Sequence, residues 1–306
     1  MKPTGIHARL LFISMLVCGA CDSALPVEPR QNYQSKLVIE GILYPGQATK
    51  IYVSKSLPFF DDRVTPQEVF ARGASVTLSD DTGSEILKAD STFDKFRCRW
   101  VPFYKADKIS ELGKTYDLQV TFDGKTYHTS TTIKQSPVKV NSVDYIADFH
   151  DVYGGHDGVR INISDVPGQE NFYRFLMTRE IDRSVKHAHI LDVIEKTCTE
   201  PEEKFEVSDY GRTIFDDKGN DGRNLELLVE VSFEYSKGDS AWVFIQSMDP
   251  KSAAFYRDLD DQLVSIFNPF VEPVFIKSSI DGGALGVFGS AVLSDSVLFI
   301  YPQDTP

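Results

Sequence analysis

Tyr116-Asp117-Leu118-Gln119-Val120-Thr121-Phe122 runs into Asp123-Gly124 and leaves through Thr126-Tyr127-His128-Thr129-Ser130-Thr131. Apolar and polar residues alternate on both sides of the Asp-Gly pair, and a period of two puts every second side chain on one face of a strand. Asp-Gly supplies two residues that accept positive φ, as a tight hairpin turn demands. The stretch therefore predicts an antiparallel hairpin. The same pattern returns towards the N-terminus. Leu37-Val38-Ile39-Glu40-Gly41-Ile42-Leu43 stops at Pro45-Gly46, a second run covers 49–54, and 74–78 turns at Asp80-Asp81-Thr82-Gly83 into Glu85-Ile86-Leu87. Short strands at this spacing predict an immunoglobulin-like antiparallel β-sandwich over residues 36–134. Within it, 108–112 before Gly113 reads as a helical turn.

Gln135-Ser136-Pro137 marks a boundary, and a second β-rich domain is expected over 135–306. Its strands are read at 138–145, 159–163, 171–181, 225–235, 242–246, 290–293 and 297–300. One segment breaks the pattern. Asp249 is placed to cap a helix whose first residue is Pro250, and Ala253, Tyr256, Leu259, Leu263 and Ile266 recur at helical spacing. One amphipathic helix near 250–266 is thus expected to cover a face or edge of the second sheet. The fold class is mainly β, in keeping with an aromatic content of 12%.

Thirty-two Lys and Arg against 45 Asp and Glu give a net charge of −13. No basic face remains to neutralise a phosphate backbone, so nucleic acid is excluded as a partner. The first residues belong to a different category. Lys2 and Arg9 precede the apolar Leu10-Leu11-Phe12-Ile13-Ser14-Met15-Leu16-Val17, and then comes Cys18-Gly19-Ala20-Cys21. This reads as a signal peptide over 1–20, since a membrane span needs roughly 20 apolar residues. Small residues directly before Cys21 resemble a bacterial lipobox, in which that cysteine is acylated. Residues 21–35, with Pro26 and Pro29, read as a lipidated tether. Removal of 1–20 takes two positive charges and no acid from the chain. Anionic lipid repels so acidic a body, so membrane attachment is expected through the acyl chains alone. Cys98 and Cys198 remain. Two buried free thiols are the preferred reading and a disulfide the alternative.

Candidate chemistry is sparse. His187-Ala188-His189 would set two imidazoles on one strand face, with Asp192 or Glu195 as further ligands, but no other ligand spacing supports a metal there. Asp216-Asp217-Lys218-Gly219-Asn220-Asp221-Gly222 looks like an oxygen-rich calcium loop. Counted from Asp217, however, position three is Gly219 and position twelve Leu228, so the EF-hand pattern fails. His187, His189, Asp217 and Asp221 stay as weak metal candidates, a solvated hairpin tip being the default for the last two. Gly283, Gly286 and Gly289 form a Gly-x-x-Gly-x-x-Gly run. Strands follow it where a phosphate loop needs a helix N-terminus, so no phosphate site is read. Gly-x-Ser-x-Gly, Ser-x-x-Lys and His-Glu-x-x-His are absent. No catalytic residue and no cofactor is assigned, and a non-enzymatic role is expected.

Asn268-Pro269-Phe270-Val271-Glu272-Pro273-Val274 followed by Ser279-Ile280-Asp281-Gly282-Gly283-Ala284-Leu285-Gly286-Val287-Phe288-Gly289 resembles the signature of a Bacteroidota lipoprotein family, domain of unknown function 4249. Lys36-Leu37-Val38-Ile39-Glu40-Gly41, Gly168 with Asn171-Phe172-Tyr173-Arg174, and Asp249-Pro250 fit the same resemblance, which covers nearly the whole mature chain. Ala284 departs from it, standing between the glycine pair and Leu285. The resemblance implies an outer-membrane lipoprotein, periplasmic or surface-facing, with an accessory role at a TonB-dependent receptor and an unknown small ligand. It carries over no catalytic residue. Asn268, Pro269, Phe270, Gly282, Gly283, Gly286, Phe288 and Gly289 are read as structural. The alternative function is a structural or adhesin-like surface lipoprotein, and a remote one an unrecognised hydrolase.

Overall fold

The computed structural model describes residues 33–58, 61–63, 65–95, 97–151, 154–181, 188–189, 192–193, 205–230, 238–267 and 274–302. The segment before Gln135 supplies β1 (Leu37–Leu43), β2 (Ala48–Lys55), the single turn α1 (Pro66–Val69), β3 (Ser75–Asp80), β4 (Gly83–Ile86), β5 (Lys88–Asp94), β6 (Arg99–Ile109), β7 (Thr115–Phe122) and β8 (Lys125–Thr132). Beyond it come β9 (Lys139–Asp151), β10 (Gly154–Ser164), β11 (Phe172–Ile181), the two-residue pair β12 (Ala188–His189) and β13 (Asp192–Val193), β14 (Phe205–Asp216), β15 (Asn224–Glu230) and β16 (Ser240–Met248). The long helix α2 (Pro250–Phe267), β17 (Leu285–Leu293) and β18 (Val297–Ile300) complete the order. The fold is mainly β, with one long amphipathic helix.

A nine-stranded sheet runs in the order β14-β11-β16-β17-β1-β2-β6-β5, with β18 added against β16. Two smaller sheets, β4-β3-β7-β8 and β15-β10-β9, pack on one of its faces. Strand alternation decides what lies between the layers. Leu37, Ile39 and Leu43 of β1 and Ile51 and Val53 of β2 meet Val76, Leu78, Leu118 and Val120 in one core. Tyr173, Phe175 and Met177 of β11 and Val243 and Ile245 of β16 meet Val159, Ile161 and Leu227 in another. The alternate residues of the same strands turn to the opposite face. There Phe172, Ile214, Met248 and Ala291 pack with Ala253 of α2, so the helix covers part of that face and leaves the rest open.

The segments on either side of Gln135 join through one ladder. β1 lies parallel to β17, from Val38 opposite Leu285 to Leu43 opposite Ser290, and antiparallel to β2. The parallel approach is tight at Gly286. Its φ is 118°, and a Cβ there would stand 1.9 Å from the Ile39 carbonyl oxygen. The helix is locked to the same strand. Asp249 caps it with Oδ1, which accepts from the Lys251 and Ser252 backbone N–H at 2.9 and 3.2 Å. Oδ2 reaches across to accept from Ser290 N at 2.6 Å and Ser252 Oγ at 2.5 Å. Gly289 lies beside this network, where a Cβ would sit 1.8 Å from Ser252 Oγ.

Two expectations are corrected. Lys108 and Ile109 close β6, and Glu111–Lys114 is a reverse turn, not a helical one. Cys98, half-buried in the turn from β5 to β6, is disulfide-bonded with its partner outside the described residues, and not a free thiol. The strand expected over 225–235 is present as β15 up to Glu230, and 231–235 lie outside the described residues. Among those residues no helix is long and apolar enough to cross a membrane.

Gly286→Ala is expected to lower stability by on the order of 4 kcal/mol or to abolish folding, because backbone stands where the methyl would go. Gly283→Ala shares the positive φ but meets nothing within 4 Å. It should cost only about 1–2 kcal/mol. Urea unfolding of the two variants tests the difference.

Candidate functional site

The open part of the sheet's outer face is a cleft of about 410 Å³. Each strand contributes by its alternation. β1 points Glu40 into it, β2 points Lys50 and Tyr52, β11 points Arg174, β14 points Tyr210, and the turn after β1 adds Tyr44. Tyr256 of α2 and Met248 of β16 close one wall.

Arg174 occupies the centre. Its register against β14 breaks between Arg174 and Leu176, a bulge of the kind that re-aims a side chain. In consequence its Nε donates to the Gly211 carbonyl at 2.7 Å. The guanidinium lies 4.1 Å from the Tyr256 ring centre and 5.3 Å from that of Tyr210. Each such cation–π contact is worth about 0.5–2 kcal/mol. No carboxylate pairs with Arg174 among the described residues, and its η nitrogens meet no acceptor there. Lys50 likewise has no ion pair; its Nζ lies 4.8 Å over the Phe103 ring. Glu40, the cleft's one carboxylate, accepts from the Tyr256 hydroxyl at 2.9 Å.

The phenols remain protonated. Burial raises the pKa of Tyr44, Tyr52, Tyr210 and Tyr256 above the usual value of 10, and the Glu40 charge adds to the rise. Arg174 opposes it at Tyr44, Tyr210 and Tyr256. Tyr44 Oη accepts from Gln246 Nε2 at 2.9 Å, which leaves its own proton available to the cleft. Gln246 is buried beneath, and its Oε1 has no partner among the described residues. This is a surface of hydrogen-bond donors on aromatic walls. It is suited to holding a molecule.

The candidates read from sequence lie elsewhere. Asp217 and Asp221 are brought together, and Asp165, which the sequence did not single out, joins them with carboxylate oxygens within 4.8 Å. Each carboxylate already accepts from at least one donor. Asn171 Nδ2 reaches Asp165 Oδ1 and Asp217 Oδ2 at 3.1 Å each, Tyr173 Oη donates to Asp165, and the Gly222 and Gly168 amides serve Asp165 and Asp221 at 2.7 and 2.8 Å. The cluster fastens the loop before β11 to the turn after β14. His189 pairs with Asp192 across β12 and β13. His187, Cys21, Asn268, Pro269 and Phe270 lie outside the described residues. Gly282 and Gly283 form the turn before β17, Gly286 and Gly289 are the close-approach positions on it, and Phe288 is fully buried in the first core.

What sequence reading missed is the cleft itself. Tyr256 reads as part of an apolar helical stripe, and Tyr210 lies on a strand that no alternation announced. Glu40 was the available signal, as a charge within an otherwise apolar strand. Arg174 was another, sitting between buried aromatics.

Fold and cleft together define a sheet-built protein with an open, aromatic, donor-rich recess on its outer face. The chain belongs to the family described as Domain of unknown function (DUF4249), matched over residues 23–295. No curated protein matches it.

Raised phenol pKa values carry a sign. An unfolded tyrosine ionises near pH 10 while these four hold their protons longer in the folded state, so their contribution to stability is complete below pH 10 and is lost as pH rises beyond it. Absorbance titration at alkaline pH should show a set of tyrosines that ionise late, together with the loss of far-ultraviolet signal. The Y44F/Y256F double variant should shrink that set.

Proposed function

We propose that this chain is a lipid-anchored binding protein of the bacterial cell envelope, an accessory to a TonB-dependent outer-membrane transporter, with the cleft around Arg174 as its working site. The observation that carries the binding reading is an arginine lying over two tyrosine rings, oriented by Gly211 and without a carboxylate partner among the described residues. Held positive charge with unused donors is what a recognition site offers a ligand. The address rests on Lys2, Arg9, the apolar run to Val17 and Cys21 within Cys18-Gly19-Ala20-Cys21. Without Lys2 and Arg9 the body has 30 basic against 45 acidic residues, a net charge of −15, and gains nothing from an anionic bilayer surface, so the acyl group at Cys21 supplies the attachment. The transporter association is supported by the family resemblance and by that address.

Two measurements test the reading. Cys21→Ser should move the protein from the membrane pellet to the soluble fraction, and equal sedimentation of both forms would remove the anchor. Purification of the tagged full chain from mild-detergent extracts of native outer membrane should recover a β-barrel receptor in near-constant ratio. Repeated recovery without one would remove the accessory role.

A further inference from the structure

We propose that the ligand of this cleft is a small, hydroxyl-rich monocarboxylate, an acidic sugar, gripped by Arg174 through its carboxylate. The inference rests on the cleft being the working site and goes on to name what it holds.

Donors outnumber acceptors. Tyr44 has its proton unused because its oxygen already accepts from Gln246, and the hydroxyls of Tyr52 and Tyr210 meet no protein partner among the described residues. The η nitrogens of Arg174 and Lys50 Nζ add N–H groups that no oxygen takes among the described residues. A neutral hydrocarbon would leave all of these dry and unpaired, at a cost for each. An acceptor-rich molecule satisfies them.

Charge narrows the class further. Two cations and the single carboxylate of Glu40 leave the cleft one unit positive, in a chain that is otherwise strongly acidic. A monoanion balances that unit. A phosphate monoester, at about −1.5 to −2, would over-compensate it beside Glu40. Geometry agrees with charge: with Nε committed to Gly211, the guanidinium is fixed in plane, and its η edge is the fork that a planar carboxylate meets bidentately. Glu40 then serves as an acceptor for ligand hydroxyls, and the half-exposed ring of Tyr210 offers a flat apolar face to a sugar ring. The volume falls within the range of about 300–1,000 Å³ typical of small-molecule sites.

Calorimetric titration of the detergent-solubilised full chain tests this with glucuronate, galacturonate and N-acetylneuraminate, using glucose and glucose 6-phosphate as comparators. At least one acidic sugar should bind at least about tenfold more tightly than both comparators. Arg174→Gln should erase that preference, and Tyr44→Phe, which keeps the ring but takes the acceptor from Gln246 Nε2, should weaken binding several-fold in a protein that still folds with a somewhat lower melting midpoint. The proposal is overturned if none of the three acids binds, if glucose or the phosphate ester binds as well as they do, or if a folded Arg174→Gln protein keeps the preference. Should Arg174→Gln fail to fold, the Tyr44→Phe result and the comparator ranking decide the matter alone. Failure here with a barrel still co-purifying would overturn the ligand class and leave the accessory role standing, and the reverse pattern would separate them the other way.

Discussion

The parallel contact between β1 and β17 holds the rest of the structure in register. It joins a strand from the start of the chain to one from its end, and every further pairing across the long sheet is built outward from it. Parallel pairing of such remote segments requires a long loop closure before any hydrogen bond forms. At Gly286 the two backbones come so close that no other residue fits, and at Gly289 the same strand passes under the capping network of α2. Asp249 is therefore more than a helix cap. It ties helix, strand and sheet together through four hydrogen bonds, all accepted by one buried carboxylate.

That framework decides where a binding surface can exist. Two small sheets bury one face of the long sheet, and α2 covers part of the other, so the uncovered strip lies over β14, β11, β1 and β2. Residues at alternate positions on those strands face it together with the helix although they are far apart in sequence: Glu40 of β1 and Tyr256 of α2 hydrogen-bond across 216 positions. A strip lined with phenols and two cations that have no ion pair among the described residues is unusual in a chain of net charge −13. Long-range repulsion of anions by the rest of the surface is screened beyond about 8–10 Å in physiological salt. The local charge of the cleft then governs what is retained there.

Strands whose apolar residues all face one core were legible. The β7–β8 hairpin turns at Asp123 and Gly124, both with positive φ, and β1, β10 and β16 follow their alternation. Asp249-Pro250 announced α2 because capping chemistry is local. β5 was not legible. Nearly all its residues are exposed, as befits a charged sheet edge, so it carries no apolar period. β14 is interrupted in register by its bulge and carries Tyr210, Arg212 and Ile214 on one face, a mixture that hides the pattern. The β1–β17 ladder and the cleft are long-range properties, and no local period encodes them. Asp217 and Asp221 were visible as an acidic loop, but the partner that explains them, Asp165, arrives from another turn.

The acidic cluster and the cleft are linked through two consecutive residues. Tyr173 and Arg174 stand on opposite faces of β11: the first donates to Asp165 in the buried clamp and the second reaches the cleft. Asn171, two residues earlier, binds both Asp165 and Asp217 and so fixes the end of β11 against the end of β14. That pinned end sets Arg174 opposite Ile214, and the bulge that follows brings the Gly211 carbonyl within reach of Arg174 Nε. The orientation of the guanidinium is thus inherited from a polar clamp on the other side of the sheet. The carboxylates of Asp165 and Asp217 act on the cleft at a distance, by holding the strand that aims its central charge.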